Sequence, residues 1–159
     1  MGISHNLPPS PELKLLTNCK PHSGSLADIT IILKGFNNSN QKFFLSPKLF
    51  KAFCKRSKLE KNSEKIFKIY SKPNSGQVSL YEILCGIILF SALTWQQKVS
   101  LGFNLFDFNH DGYLNKDELQ MLVSMYSSSI LTITKINVEP QDLFLELAKS
   151  EEDLISLNE

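Results

Sequence analysis

The chain has 159 residues, 42% of them hydrophobic and eleven of them Phe, enough for one domain or two small lobes around a sizeable core. Its 17 Lys and Arg nearly balance its 16 Asp and Glu, leaving +1 at pH 7, which argues against a broad basic footprint for nucleic acid. The longest apolar run, near Cys85–Leu93, is far shorter than the roughly 20 residues of a membrane span. No basic–apolar–small leader opens the chain, so a soluble, cytoplasmic or cytoskeletal protein is expected.

Residues 1–24 read as an extended arm, because Leu7-Pro8-Pro9-Ser10-Pro11 favours an open backbone. Leu13–Lys20 reads as a short helical or irregular lead-in. Gly2 invites N-myristoylation, but Asn6 stands where that signal needs Ser or Thr, so a lipid anchor is not expected. Cys19, Cys54 and Cys85 are scattered and odd in number, which predicts buried thiols in a reducing compartment.

From about residue 25 one frame recurs four times. Apolar residues at helical spacing lead into a twelve-residue loop, one apolar residue stands at the eighth loop position, and a second apolar helix follows. The loops start at 37, 71, 107 and 148, separated by 34, 36 and 41 residues.

The first frame starts at Asn37. Ile29, Ile32, Leu33 and Phe36 precede it, Phe44 takes position 8, and Leu49, Ala52 and Phe53 follow. Lys42 and Lys48 occupy positions 6 and 12, and two lysines oppose any cation in this loop. Ser46-Pro47 marks the start of the next helix. The second frame starts at Ser71, with Ile66, Phe67 and Tyr70 before it, Val78 at position 8, and Ile83 and Ile87 after it. Gly76 and Glu82 hold positions 6 and 12, but Ser71, Pro73 and Ser75 replace acids. One carboxylate does not offset dehydration of a divalent ion, so Gly76 is expected to serve the turn. Trp95, between the second and third frames, is expected to pack at a junction.

The third loop is different. Asp107, Asn109, Asp111, Gly112 and Glu118 match D-x-[DN]-x-[DN]-G-x₅-E at every fixed position. A hard cation such as Ca²⁺ takes about six to eight oxygens at roughly 2.3–2.6 Å. Asp107, Asn109 and Asp111 supply side-chain oxygens, and Gly112 permits the sharp bend. Tyr113 offers its main-chain carbonyl, Asn115 reaches the ion directly or through water, and Glu118 closes the shell with two oxygens. The expected ligands are therefore Asp107, Asn109, Asp111, Tyr113 and Glu118, for one Ca²⁺ with Mg²⁺ an option at rest. His110 points outward, and Asp117 is a solvated helix-start acid.

Ser127-Ser128-Ser129 then begins a linker running to Glu139-Pro140, and Ile130–Val138, rich in β-branched residues, is expected to be partly extended. The fourth frame starts at Ala148, with Leu143, Phe144 and Leu147 before it and Ile155 at position 8. Ala148 cannot ligate and Asp153 replaces the glycine, so no ion is expected. Glu159 ends this loop, making the fourth unit truncated or the chain a fragment.

The run Phe103–Leu119 resembles the third hand of the EF-hand recoverin, Kv-channel-interacting and calcineurin B superfamily, and the four-hand layout resembles the calaxin-type sensors of outer dynein arms. The resemblance implies an all-α fold of tandem EF-hand helix–loop–helix pairs in two lobes, with short two-stranded β pairing between loops. Residues 25–93 would form a lobe of two degenerate hands, and 94–159 a lobe with one intact and one degenerate hand. It also implies a non-enzymatic calcium sensor that grips a partner's amphipathic helix in an apolar groove, with Met121, Met125 and Tyr126 as groove candidates. The expected location is cytoplasmic or cytoskeletal, with a cilium or flagellum as one option. The alternative is a constitutive docking subunit whose single metal is a staple.

Overall fold

The computed structural model describes residues 26–37, 43–57, 59–139 and 154–156. The arm, the loop at 38–42 and most of the fourth frame lie outside these residues. Helix α1 runs over Leu26–Asn37, strand β1 over Phe44–Leu45 and helix α2 over Pro47–Arg56. After a 3₁₀ turn at Glu60–Asn62 come α3 (Ser63–Tyr70), β2 (Val78–Ser79), α4 (Leu80–Phe90) and α5 (Trp95–Phe106). Strand β3 (Tyr113–Asn115), the long helix α6 (Lys116–Thr134) and strand β4 (Leu154–Ser156) complete the order. The fold is mostly helical with two minimal antiparallel sheets, β1 with β2 and β3 with β4.

Local sequence explains where the helices begin. Pro47 supplies a ready-made φ in the first turn of α2. Ser79 caps α4 by accepting from the Glu82 N–H. Thr94 and Gln97 form a reciprocal capping box on α5, and Asn115 and Glu118 form another on α6.

Helix α4 is the central post. Every residue from Leu80 to Ile88 is buried, so it is apolar all round and needs neighbours on all sides. One apolar cluster joins Ile29 and Ile32 of α1, Phe50 and Phe53 of α2, Ile66 of α3, α4 itself, Phe103 and Phe106 of α5, and Ile133 of α6. Cys54 and Cys85 are buried in it.

Three expectations change. First, β1 pairs Leu45 with Val78 and Phe44 with Ser79. The buried residue opposite Val78 is Leu45, while Phe44 is 51% exposed. Leu45, not Phe44, therefore takes the eighth-position role that the apolar spacing gives to Phe44: two adjacent Phe and a Leu allow either register, and the pairing with Val78 decides it. Second, the predicted linker from Ser127 is helix: α6 continues to Thr134 and ends at Lys135 in the left-handed region, φ 62°. Ser127, Ser129 and Ile133 are buried, and packing of that stripe overrides the β preference of Ile130–Thr134. Third, Trp95 packs at no junction; it is 70% exposed on the first turn of α5.

The serines of α6 have a steric role. A Cβ on Gly86 of α4 would lie 2.1 Å from the Tyr70 Oη and 2.5 Å from the Ser129 Oγ. Tyr70 and Ser129 hydrogen-bond to each other at 3.1 Å in this gap. Thus α3, α4 and α6 meet where only glycine and a small hydroxyl fit. Gly86→Ala is expected to cost about 1–3 kcal/mol through overpacking, read as a lower urea midpoint with an unchanged slope.

Burial pushes the Tyr70 and Tyr126 phenols well above their ordinary value. Both stay protonated in the folded chain where unfolded tyrosines begin to ionise, near pH 10. Their contribution is therefore complete below about pH 10 and declines above it. Urea midpoints measured from pH 8 to 11 should fall only in the upper part of that range.

Candidate metal centre

Helix α5 delivers the chain to the third loop, and Asp107 is its C-terminal cap. Asp107 is buried, and the loop curls round its carboxylate: Oδ1 accepts from the Asp111 N–H at 3.2 Å and Oδ2 from the Gly112 N–H at 3.1 Å. Asn109 Oδ1 shares the Asp111 N–H, and its Nδ2 donates to Asp111 Oδ2 at 2.7 Å. Asp111 Oδ1 accepts from the Tyr113 N–H at 2.8 Å. The bend needs two positive φ values, 57° at His110 and 83° at Gly112, and the second is the one that favours glycine.

Glu118 ties the two ends of the loop together. Its Oε1 accepts from the Phe108 N–H at 3.2 Å and its Oε2 from the Asn115 N–H at 3.0 Å. Both contacts hold a buried carboxylate across the loop. Asn115 Oδ1 in return accepts from the N–H groups of Asp117 and Glu118. His110 and Asp111 are exposed, and Tyr113 is 45% exposed with its ring outside.

Among the described residues no three His, Cys, Asp or Glu side chains form a ready metal cluster. Asp107, Asp111 and Glu118 are among the side chains to which this applies, and the other two donors of the loop are the Asn109 amide and the Tyr113 carbonyl. The three carboxylates of the loop are each held by loop N–H groups, and their order along the sequence is the one a hard divalent cation requires. All the oxygens are hard, and none of the donors is a thiolate or imidazole. In kind and sequence the residues fit such an ion.

The second loop shows what a poor fit looks like. Gly76 keeps a positive φ of 58°, so the turn survives. Glu82, at the position matching Glu118, is turned away from its own loop: its Oε1 accepts from the Thr132 Oγ1 on α6 at 2.8 Å. Its Oε2 is buried with no hydrogen-bond partner among the described residues. A carboxylate spent on a distant helix does not close a cation shell.

Strand β3 pairs with β4 so that Leu114 faces Ile155, with Tyr113 opposite Ser156 and Asn115 opposite Leu154. The two expected eighth positions are thus partners along the backbone. The remainder of the fourth loop, including Ala148, Asp153 and Glu159, lies outside the described residues.

Comparison with known proteins gives partial matches. Over 81 residues the chain is 26% identical to calcium-binding protein NCSA of Dictyostelium discoideum, covering 49% of this chain and 44% of that protein. Over 56 residues it is 32% identical to calaxin of Homo sapiens, covering 35% of this chain and 26% of that protein. The chain therefore spans less than half the length of either relative. No family model matches it. These partial likenesses support a relationship to the EF-hand superfamily.

Met121, Met125 and Tyr126, the groove candidates, are partly buried against the core in this structure. Met125 Sδ lies 3.8 Å from the Ser79 Oγ. The Tyr126 hydroxyl lies beside Gly102 of α5, 2.5 Å from where a Cβ would stand. Sequence reasoning missed two contributors to the site. Phe108 packs edge-on to Tyr81 and Phe106, with centroids at 5.9 and 6.1 Å, and so fixes the loop to α4. Its place at the second loop position carries no ligand signal, although its aromatic character was available to read. Thr132, which holds Glu82, gives no signal at all in the sequence.

Asn115→Ala removes the acceptor for two N–H groups and should cost about 0.5–2 kcal/mol. Urea unfolding of the metal-free chain checks this independently of any ion.

Proposed function

We propose that this chain is an EF-hand calcium-binding regulatory protein with one competent loop, Asp107–Glu118, whose ligands are Asp107, Asn109, Asp111, the Tyr113 carbonyl and Glu118. The observation that carries the reading is Glu118, held across the loop from Phe108 to Asn115, where its counterpart Glu82 is committed elsewhere. The likeness to NCSA, which by name binds calcium, supports the choice of ion. Bound Ca²⁺ would supply a compact double positive charge that holds the loop oxygens together. Mg²⁺ at rest fits the same oxygens less closely, since it demands a tighter octahedron.

The chain's own part in a response is α6. Glu118 lies in its first turn, and Ser129 and Thr132, near its far end, hold Tyr70 and Glu82. One helix of 19 residues therefore links the loop to the body of the protein. Reorienting Glu118 would load those two distant hydrogen bonds and release the half-buried Met121, Met125 and Tyr126 for a partner's amphipathic helix. Two lobes, 25–93 and 94–159, and a cytoplasmic or axonemal setting complete this proposal.

A second reading is favoured by the depth at which α6 is seated: Ser129 and Ile133 are fully buried. A helix so held suits a constitutive docking subunit in which the ion only staples the loop.

Calorimetric titration should give one site with Kd about 10⁻⁷–10⁻⁵ M. At free calcium about 100-fold above Kd, the folded state should gain about 2.7 kcal/mol, lost in Glu118→Gln. Equal unfolding midpoints with calcium and with chelator would sink the metal site. Hydrogen exchange then separates the two readings. Faster exchange at 121–134 with calcium supports the sensor, and uniform slowing supports the staple.

A further inference from the structure

The near-zero net charge conceals an uneven distribution. Residues 43–72 hold nine of the chain's 17 Lys and Arg but only two of its 16 Asp and Glu, Glu60 and Glu64. On α2, Lys48, Lys51 and Lys55 recur at helical spacing, and on α3 Lys65 and Lys68 do the same; all five are exposed. None of the five has an acidic partner among the described residues. Like charges three and four residues apart on a helix repel, so the fold carries this face at some expense to its own stability.

Beside these cations lies an open groove of about 520 Å³ between α2 and the start of α3. Phe50 and Phe67 form its floor, their rings 5.7 Å apart, and Lys48, Lys51, Ser63 and Glu64 stand among its walls. Phe67 is only partly buried, so its ring is available to a ligand.

We propose that α2 and α3 form a docking surface for an acidic polypeptide segment bearing one bulky apolar side chain. Charge complementarity selects the class of ligand: Asp and Glu side chains meet the lysine row, and the apolar residue seats on the Phe67 ring, which the buried Phe50 backs. A phosphate backbone or an anionic bilayer would engage the lysines but has no need of an aromatic floor. A polypeptide uses both features. None of the residues involved belongs to the Asp107–Glu118 loop, so the surface is independent of the proposed calcium site.

The test is fluorescence anisotropy on the full chain with a labelled synthetic peptide in which Glu and Asp surround a single Phe. Saturable binding is expected, weakening as salt rises from about 50 to 300 mM. The charge reversal Lys48→Glu/Lys51→Glu should weaken it at least about tenfold. Replacing the peptide's Phe by Ser should weaken it about fivefold or more. If the reversal disturbs folding, Lys48→Gln/Lys51→Gln gives the same reading with a loss of about threefold. Binding should persist in Glu118→Gln and in chelator, so failure of the calcium site would leave this result intact. No saturable binding, or binding indifferent to the lysines, overturns the proposal. So does binding indifferent to the peptide's Phe, or equal lysine-dependent affinity for single-stranded RNA or phosphatidylserine vesicles.

Discussion

Close approach of α4 and α6 at Gly86 is the constraint on which the rest of the structure depends. With no side chain at that position, Tyr70 from α3 and Ser129 from α6 share one hydrogen bond in the gap. The consequence runs along α6. Because its far end is seated against α4, its near end is fixed in space, and there Asn115 and Glu118 close the loop that Asp107 opens. Packing in the core and geometry in the loop are thus two ends of one rod.

The loop is the part most easily read from sequence, because each of its residues answers a local requirement. Gly112 takes a backbone conformation that other residues resist, Asn115 caps a helix, and the acids recur at fixed intervals. Strand positions were nearly as legible, and Val78, Leu114 and Ile155 fall where an eighth-position rule puts them. In the first frame the sequence is ambiguous by one residue because Phe43, Phe44 and Leu45 offer two equivalent apolar registers, and only the pairing with Val78 chooses between them.

What could not be read depends on contacts between distant segments. Ser127–Thr134 has the composition of an extended linker, yet its small and apolar residues fit a surface that Gly86 and Tyr70 create some fifty residues earlier. Glu82 retains the identity of a closing ligand but is captured by Thr132. Residue identity at a repeat position therefore does not reveal which partner the side chain finds. Charge is hidden in a similar way. A sum over the whole chain cancels lysines on α2 and α3 against acids that lie elsewhere in the sequence.

The placement of Trp95 has a practical side. As the chain's single indole, 70% exposed at the start of α5, it already emits from a water-like surrounding. Its fluorescence will be open to collisional quenchers in the native state, and loss of the core will shift its emission little. A bound molecule that shields the first turn of α5 will, by contrast, register as a blue shift.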